Sequence, residues 1–337
     1  MVTANMSLRI NALDNFGTPA TRAMATDPMA VIRAAGADFD LESVSLNSLG
    51  ILSNDDLYCV RRSDDGRIIG QVGNQYAPMS NRDFFVPLAE ALIEHTGARI
   101  ERFAELGGGN RAFMRLMWED DIKVGPNSKV GDVVGRRATL HTGHDGKWAG
   151  KLSLQMLRLI CLNGMLVPVG KHEFTVVHSK GGVATLADIV RMIPRIDEYT
   201  TKFKAAAGVL IETPVTPTKA REVITSFVDP KDNAGETKNG EDNKTRQRVN
   251  RVWNLFNGGQ PGAGTKAMKG TAWGVYNALT DDRQYGGRTS GDNTEAEKRF
   301  KMMLPGGSAN RGIIQAWDTT IDKLELRTAI NAAVSMN

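Results

Sequence analysis

The chain has 337 residues, 41% hydrophobic and 24% charged, a globular composition that excludes wholesale disorder. Its 42 lysines and arginines against 38 aspartates and glutamates leave a net charge of +4, which excludes a polycationic, histone-like protein but not a local basic surface. Two cysteines, Cys59 and Cys161, leave no room for a disulfide framework and fit a reducing compartment.

Residues 1–27 read as a flexible N-terminal arm, polar at its start and without the basic flank and apolar core of a signal peptide. No run of about 18 apolar residues follows, so the expected location is the cytoplasm of a bacterial host. From Asp27-Pro28 the pattern predicts a short helix over Met29–Ala35 that Gly36 stops. Leu57–Arg62 and Arg67–Gly73 flank Ser63-Asp64-Asp65-Gly66, and the Asp-Gly pair predicts a hairpin. Asn81–His95 places Phe84, Leu88, Ala91 and Leu92 on one helix face with Gly97 as the stop, and Pro87 argues for a later start. A second hairpin joins Arg99–Leu106 to Arg111–Trp118 across Gly107–Asn110, and residues 119–131 read as a loop.

Asp132–Thr142 and Trp148–Met156 form a third predicted hairpin around Gly143–Lys147. With Thr142 opposite Trp148, alternation puts Val134, Ala138, Leu140, Trp148, Leu152, Leu154 and Met156 on one face. Arg137, Thr139, His141, Lys151, Ser153 and Gln155 then share the other, which predicts one core face and one wet, cationic face. Residues 28–180 are therefore expected to be a hairpin-rich core.

After Leu157 the pattern turns mainly helical. Leu186, Ile189, Val190, Ile193 and Ile196 share a face with Pro194 as a kink, and Thr216-Pro217 caps a helix running to about Val228. Residues 229–243 read as a mobile loop, with helices near 244–257, 266–281, 293–303 and 309–335. Strands first and helices later predict an α+β fold, with residues 181–337 as a helical region.

Charge resolves along the chain. Residues 1–118 carry 11 basic and 14 acidic side chains, a net of −3. Between Asp242 and Asp281 there is no acidic residue, while Lys244, Arg246, Arg248, Arg251, Lys266 and Lys269 alternate with Trp253, Phe256, Trp273 and Tyr276. Cations and aromatics without carboxylates suit a polyanion with stackable bases. They equally suit a helix with a solvated basic face and an aromatic core face. The expected nucleic-acid contacts are Arg136, Arg137, His141, Lys147, Lys151 and Arg158 on the third hairpin, with Lys244, Arg246, Arg248, Arg251, Trp253, Lys266, Lys269, Trp273 and Tyr276 in the helical region. Trp253, Trp273 or Tyr276 would stack bases.

Other constellations fail on context. His141, His144 and Asp145, even with Asp188, read as a hairpin tip, since Asp-Gly is turn chemistry; no metal or cofactor is expected. The glycine-rich run from Gly258 to Lys266 has Gly-Thr-Lys where a phosphate loop needs Gly-Lys-Ser/Thr, and it follows a helical segment. Cys161 sits among apolar residues as a core thiol.

Four short motifs stand in order: Gly73-Asn74-Gln75-Tyr76-Ala77-Pro78-Met79-Ser80-Asn81, the tip His144-Asp145-Gly146, Arg158-Leu159-Ile160-Cys161-Leu162-Asn163, and Gly270-Thr271-Ala272-Trp273 through Tyr276-Asn277-Ala278-Leu279-Thr280. Over roughly residues 25–285 this resembles a phage/plasmid-like family with a domain of unknown function. Where that family often carries Asp-His after the last motif, this chain has Asp281-Asp282-Arg283-Gln284. More remotely, the hairpin–hairpin–helix order resembles phage single-strand annealing proteins of the RecT, Red beta and Erf type. That resemblance implies a non-catalytic protein binding single-stranded DNA as a homo-oligomeric ring or filament, alongside an exonuclease or a single-strand-binding protein. The alternative is a phage structural, assembly or host-interaction protein that binds no nucleic acid. A hydrolase ranks third, for want of an acidic metal cluster.

Overall fold

A computed structural model describes residues 25–51, 57–124, 132–158, 163–165, 173–179, 181–229, 243–258, 268–285 and 308–336. The first described element, α1 (Pro28–Ala34), begins one residue before the foreseen Met29: Asp27 accepts the Ala30 N–H at 2.8 Å and proline occupies the first turn. Strand β1 (Leu41–Ser45), which the sequence analysis did not foresee, joins the predicted hairpin β2 (Leu57–Arg62) and β3 (Ile68–Gly73) in an antiparallel sheet of order β1-β2-β3. It was missed because it is short and half exposed, so it lacks the alternation that marks a strand.

Helix α2 (Asn81–Thr96) starts at its capping box and not beyond Pro87. Ser80 accepts the Asp83 N–H, and the Asp83 carboxylate accepts the Ser80 N–H. Pro87 lies inside the helix, and Gly97 ends it at φ 67°. Its buried Phe84 and Phe85 meet edge to face at 5.0 Å, and Phe85 meets Phe103 the same way at 5.4 Å; such pairs are worth about 1 kcal/mol each beyond burial. Helices α1 and α3 (Gly182–Met192) pack against α2.

The larger sheet holds β4 (Arg99–Leu106), β5 (Arg111–Val124), β6 (Asp132–Gly143), β7 (Gly150–Arg158) and β8 (Asn163–Met165) in that order, with β9 (Glu173–Val176) also paired to β7. Two expectations are corrected here. The loop foreseen over 119–131 is strand as far as Val124, and the region after Leu157 holds β8 and β9 before its helices. Of the core face foreseen for the third hairpin, Val134, Ala138, Leu140, Leu152, Leu154 and Met156 are buried, whereas Trp148 precedes β7 and is half-buried. The opposite face is not wet, because Thr139, His141, Ser153 and Gln155 are buried as well.

Pro194 interrupts the next helical stretch with a 3₁₀ turn between α3 and α4 (Ile196–Glu212). Helix α5 (Pro217–Val228) has Thr216 as its cap, as foreseen. Then come α6 (Asn243–Phe256), α7 (Ala272–Tyr285), α8 (Ser308–Lys323) and α9 (Arg327–Ser335). Helix α7 starts later than expected, at Ala272, where the Thr271 hydroxyl accepts the Gly274 N–H at 3.1 Å. The long helix expected over 309–335 breaks where Glu325 takes φ 55°. Of the loop foreseen over 229–243, residues 230–242 lie outside the described residues, as does the helix foreseen near 293–303.

Antiparallel strands followed by helices make this an α+β fold. The chain divides into two compact units. Unit 1 takes the described residues of Met1–Glu119, Arg137–Leu154 and Glu173–Ile196; unit 2 takes those of Asp120–Arg136, Gln155–His172 and Asp197–Asn337. Within unit 2, α7 packs against α5, α6 and α8, with Phe203, Trp273, Tyr276 and Trp317 in successive ring contacts. Among the described residues, no helix is long and apolar enough to cross a membrane.

Candidate functional site

Two places in the chain concentrate polar and cationic side chains. The first, in unit 1, surrounds the tip of the β6–β7 hairpin. Asp145 shapes that tip by accepting the Lys147 N–H at 3.0 Å and the Arg111 guanidinium at 3.1 Å, while Gly146 takes φ 72°. The tip reaches the small sheet at Gly70, where a Cβ would stand 2.5 Å from Asp145 Cα; only glycine allows that approach. His144 is buried there, its Nε2 3.0 Å from Asn81 Oδ1. Asn81 Nδ2 donates to Ala37 O and Glu105 Oε1, so its oxygen is the acceptor and the His144 proton sits on Nε2. Glu105 lies 3.9 Å from Arg62, which pairs bidentately with Asp64 and covers the Phe39 ring at 3.8 Å.

His178 completes the cluster. Its Nε2 lies 2.9 Å from the Thr142 hydroxyl and its ring stacks on Tyr76 at 5.3 Å, while the Tyr76 hydroxyl donates to Gly143 O. Burial pushes the His178 imidazole down to about 4 and those of His141 and His144 to about 3; Lys151 adds to the shift at His141, while both His178 and Arg62 add to the shift at His144. Burial and the Asp145 charge likewise raise Tyr76. The three imidazoles are thus held neutral. Among the described residues, no group of three or more His, Cys, Asp or Glu side chains is placed to hold a metal ion. Asp188 pairs with Arg191 on the surface instead of joining His144.

Three of the cations expected on the third hairpin are answered by carboxylates. Arg137 donates to Glu101 at 2.7 Å, and Arg115 meets the same carboxylate at 3.0 Å. Lys151 pairs with Glu173, and Arg136 donates to Asp197 at 2.8 Å. Crowding shows at Arg115, which burial and the Arg137 charge push down to about 10. His141 is only 2% exposed and meets Trp148 edge to face, so it is packed and not a nucleic-acid contact. These residues were assigned to a wet face because cross-strand acids from β4 and β9 cannot be placed by reading one hairpin alone. Lys147, at the tip, is exposed as foreseen. The side chain of Arg158 lies outside the described residues.

The second place is α6 in unit 2. Val249, Val252, Leu255 and Phe256 are its buried face, and there is no acidic residue along it. Lys244, Arg248 and Arg251 recur at i, i+4 and i+7, so they form one stripe about 10 Å long. Arg246 and the half-buried Trp253, also seven apart, form another, and Arg221 of α5 lies over the Trp253 ring at 5.7 Å. Lys244, Arg246, Arg251 and Lys269 are exposed. Trp273 and Tyr276 are both 0% exposed and build the unit 2 core, so the expectation that either stacks bases gives way to packing. Lys266 and most of the glycine-rich run lie outside the described residues, as does Cys161.

The sequence analysis missed the group that organises the stripe. Asp282 of α7, 1% exposed, accepts from both Arg248 and Arg251. The four quoted motifs also receive roles. Asn81 from the first meets His144 from the second, and the fourth supplies the buried Trp273 and Tyr276. The ends of the third, Arg158 and Asn163, pair across β7 and β8.

Residues 68–304, more than two thirds of the chain, match the family described as Domain of unknown function (DUF932). No curated protein and no solved structure matches the chain.

Proposed function

The chain belongs to the DUF932 family, and we propose that it is a non-catalytic protein that binds single-stranded DNA along helix α6 and anneals complementary strands. One observation carries this reading: a helix with no carboxylate of its own presents Lys244, Arg246 and Arg251 to solvent, with a half-buried Trp253 beside them. Exposed cations meet backbone phosphates. An accessible indole stacks only on a base that is not already paired, which favours single strands, at about 1–3 kcal/mol per stacked base. Annealing brings two strands together, and a homo-oligomer supplies more than one such helix. On the third hairpin Arg136, Arg137 and Lys151 pair with Asp197, Glu101 and Glu173, so the reading rests on α6.

The test is titration of a labelled oligothymidylate in rising salt. Affinity should fall log-linearly, with a slope of about −0.7 per phosphate contacted, because each contact releases counterions. A complementary pair of strands should then anneal faster with the protein than without it. Absence of binding at low salt, or binding without a salt slope, would overturn the proposal.

A further inference from the structure

Arg248 and Arg251 approach Asp282 in the same way. Arg248 donates through Nε at 2.8 Å and Nη2 at 2.7 Å to Oδ2, and Arg251 donates through Nε at 3.0 Å and through Nη2 to Oδ1. Each carboxylate oxygen therefore takes a two-pronged contact from one guanidinium. A guanidinium has five N–H donors, and these contacts use the Nε–Nη2 edge. The Nη1 atoms of both arginines have no hydrogen-bond partner among the described residues, so the Nη1–Nη2 edge of each fork remains for a second oxyanion.

The surroundings divide this pair from ordinary surface salt bridges. Asp282 is buried, whereas the side chains of Arg248 and Arg251 are 27% and 45% exposed. The carboxylate is a fixed anchor and the cations face outward from it. Arg283 adds a third guanidinium: it lies over Phe227 at 4.6 Å and its charged form is disfavoured by burial and by Arg248. Lys244 lies four residues before Arg248 on the same stripe and extends it.

We propose that Asp282 is a positioning residue, holding Arg248 and Arg251 as a two-fork clamp for nucleic-acid backbone phosphate. This rests on the reading of α6 as a single-strand-binding helix and adds the atoms that meet the phosphate. The buried carboxylate fixes the direction of both forks before the strand arrives, so less side-chain freedom is lost on binding.

Charge and positioning make opposite predictions for Asp282→Asn. Removing a negative charge raises attraction for any polyanion, so electrostatics alone predicts equal or tighter binding. Positioning predicts weaker binding to labelled oligothymidylate, by about tenfold, since undirected arginines must be ordered by the strand. Asp282→Glu keeps the charge and displaces the carboxylate, and should also bind more weakly than wild type. Arg248→Lys with Arg251→Lys keeps both cations and loses the forks; it reports the same loss without touching the buried anchor, and so stands in if Asp282→Asn does not fold. Equal or tighter binding by Asp282→Asn, or by the double lysine variant, overturns the clamp while leaving α6 as the binding helix. Failure of the wild-type chain to bind in a salt-dependent way overturns the reading of α6 itself.

Discussion

The hairpin tip of unit 1 and helix α6 of unit 2 both gather polar and cationic side chains, and they use them in opposite ways. Around the tip, His144, Asn81, Glu105 and Arg62 are at most 6% exposed, joined by a hydrogen-bonded chain and an ion pair. Along α6 the apolar side is buried and the cations are outside, with one buried carboxylate behind two of them. Buried polar groups must be satisfied by each other, so they specify packing. The exposed cations of α6 have no acid on their own helix and face solvent. The difference predicts that unit 1 changes should appear in stability and α6 changes in binding.

Acid gives the largest expected effect. The imidazoles of His141, His144 and His178 titrate at about 3, 3 and 4 in the folded chain, against an unfolded value near 6.5. Between about pH 6.5 and 4 the unfolded state therefore binds more protons than the folded one. Stability from these groups is complete above 6.5 and falls as pH drops, by up to about 4 kcal/mol per pH unit for three protons. Hydrogen exchange followed peptide by peptide should show protection lost first around 140–145 and 173–179. Equal protection of those segments at pH 7 and pH 4.5 would break the contrast.

Asn81→Ala is the next largest. It removes the acceptor for His144 Nε2 and the donor to Ala37 O and Glu105, leaving three buried polar groups short of a partner. At about 1–3 kcal/mol for each unsatisfied group, a loss of about 3 kcal/mol is expected in denaturant unfolding. Oligothymidylate affinity, measured while the variant is still folded, should not move. A binding loss comparable to the stability loss would mean that the network serves the interface and not only the packing.

How much of this was legible follows the range of each interaction. Local signals succeeded: the Asp27-Pro28 start, the Thr216-Pro217 start and the Asp65-Gly66 turn each act within four residues. The α+β order and the basic run on α6 were also readable, because periodicity and composition are properties of a short window. The polar face of the β6–β7 hairpin was misjudged because its burial depends on Glu101 and Glu173, on strands that one hairpin does not reveal. Asp282 stands 31 residues after Arg251, and nothing in spacing links them. Trp273 and Tyr276 carried the right chemistry for stacking and the wrong exposure, since aromatic content does not distinguish a platform from a core.

The smallest expected stability effect is the sharpest test of the contrast. Lys244→Ala with Arg246→Ala removes two exposed cations from α6, where the described hydrogen bond of Arg246 reaches only Asn243, three residues away. Surface substitutions of this kind stay within about 0.5 kcal/mol, so unfolding should be almost unchanged. Alanine also suits a helix interior, which offsets part of whatever is lost. If both cations meet phosphates, the salt slope for oligothymidylate should shrink by about 1.4, two contacts at about 0.7 each. An unchanged slope with unchanged stability would remove these two cations from the interface and confine binding to the Arg248–Arg251 side of the helix. A large stability loss would show instead that the exposed face of α6 is structural, and the division between a packed polar cluster and a binding helix would fall.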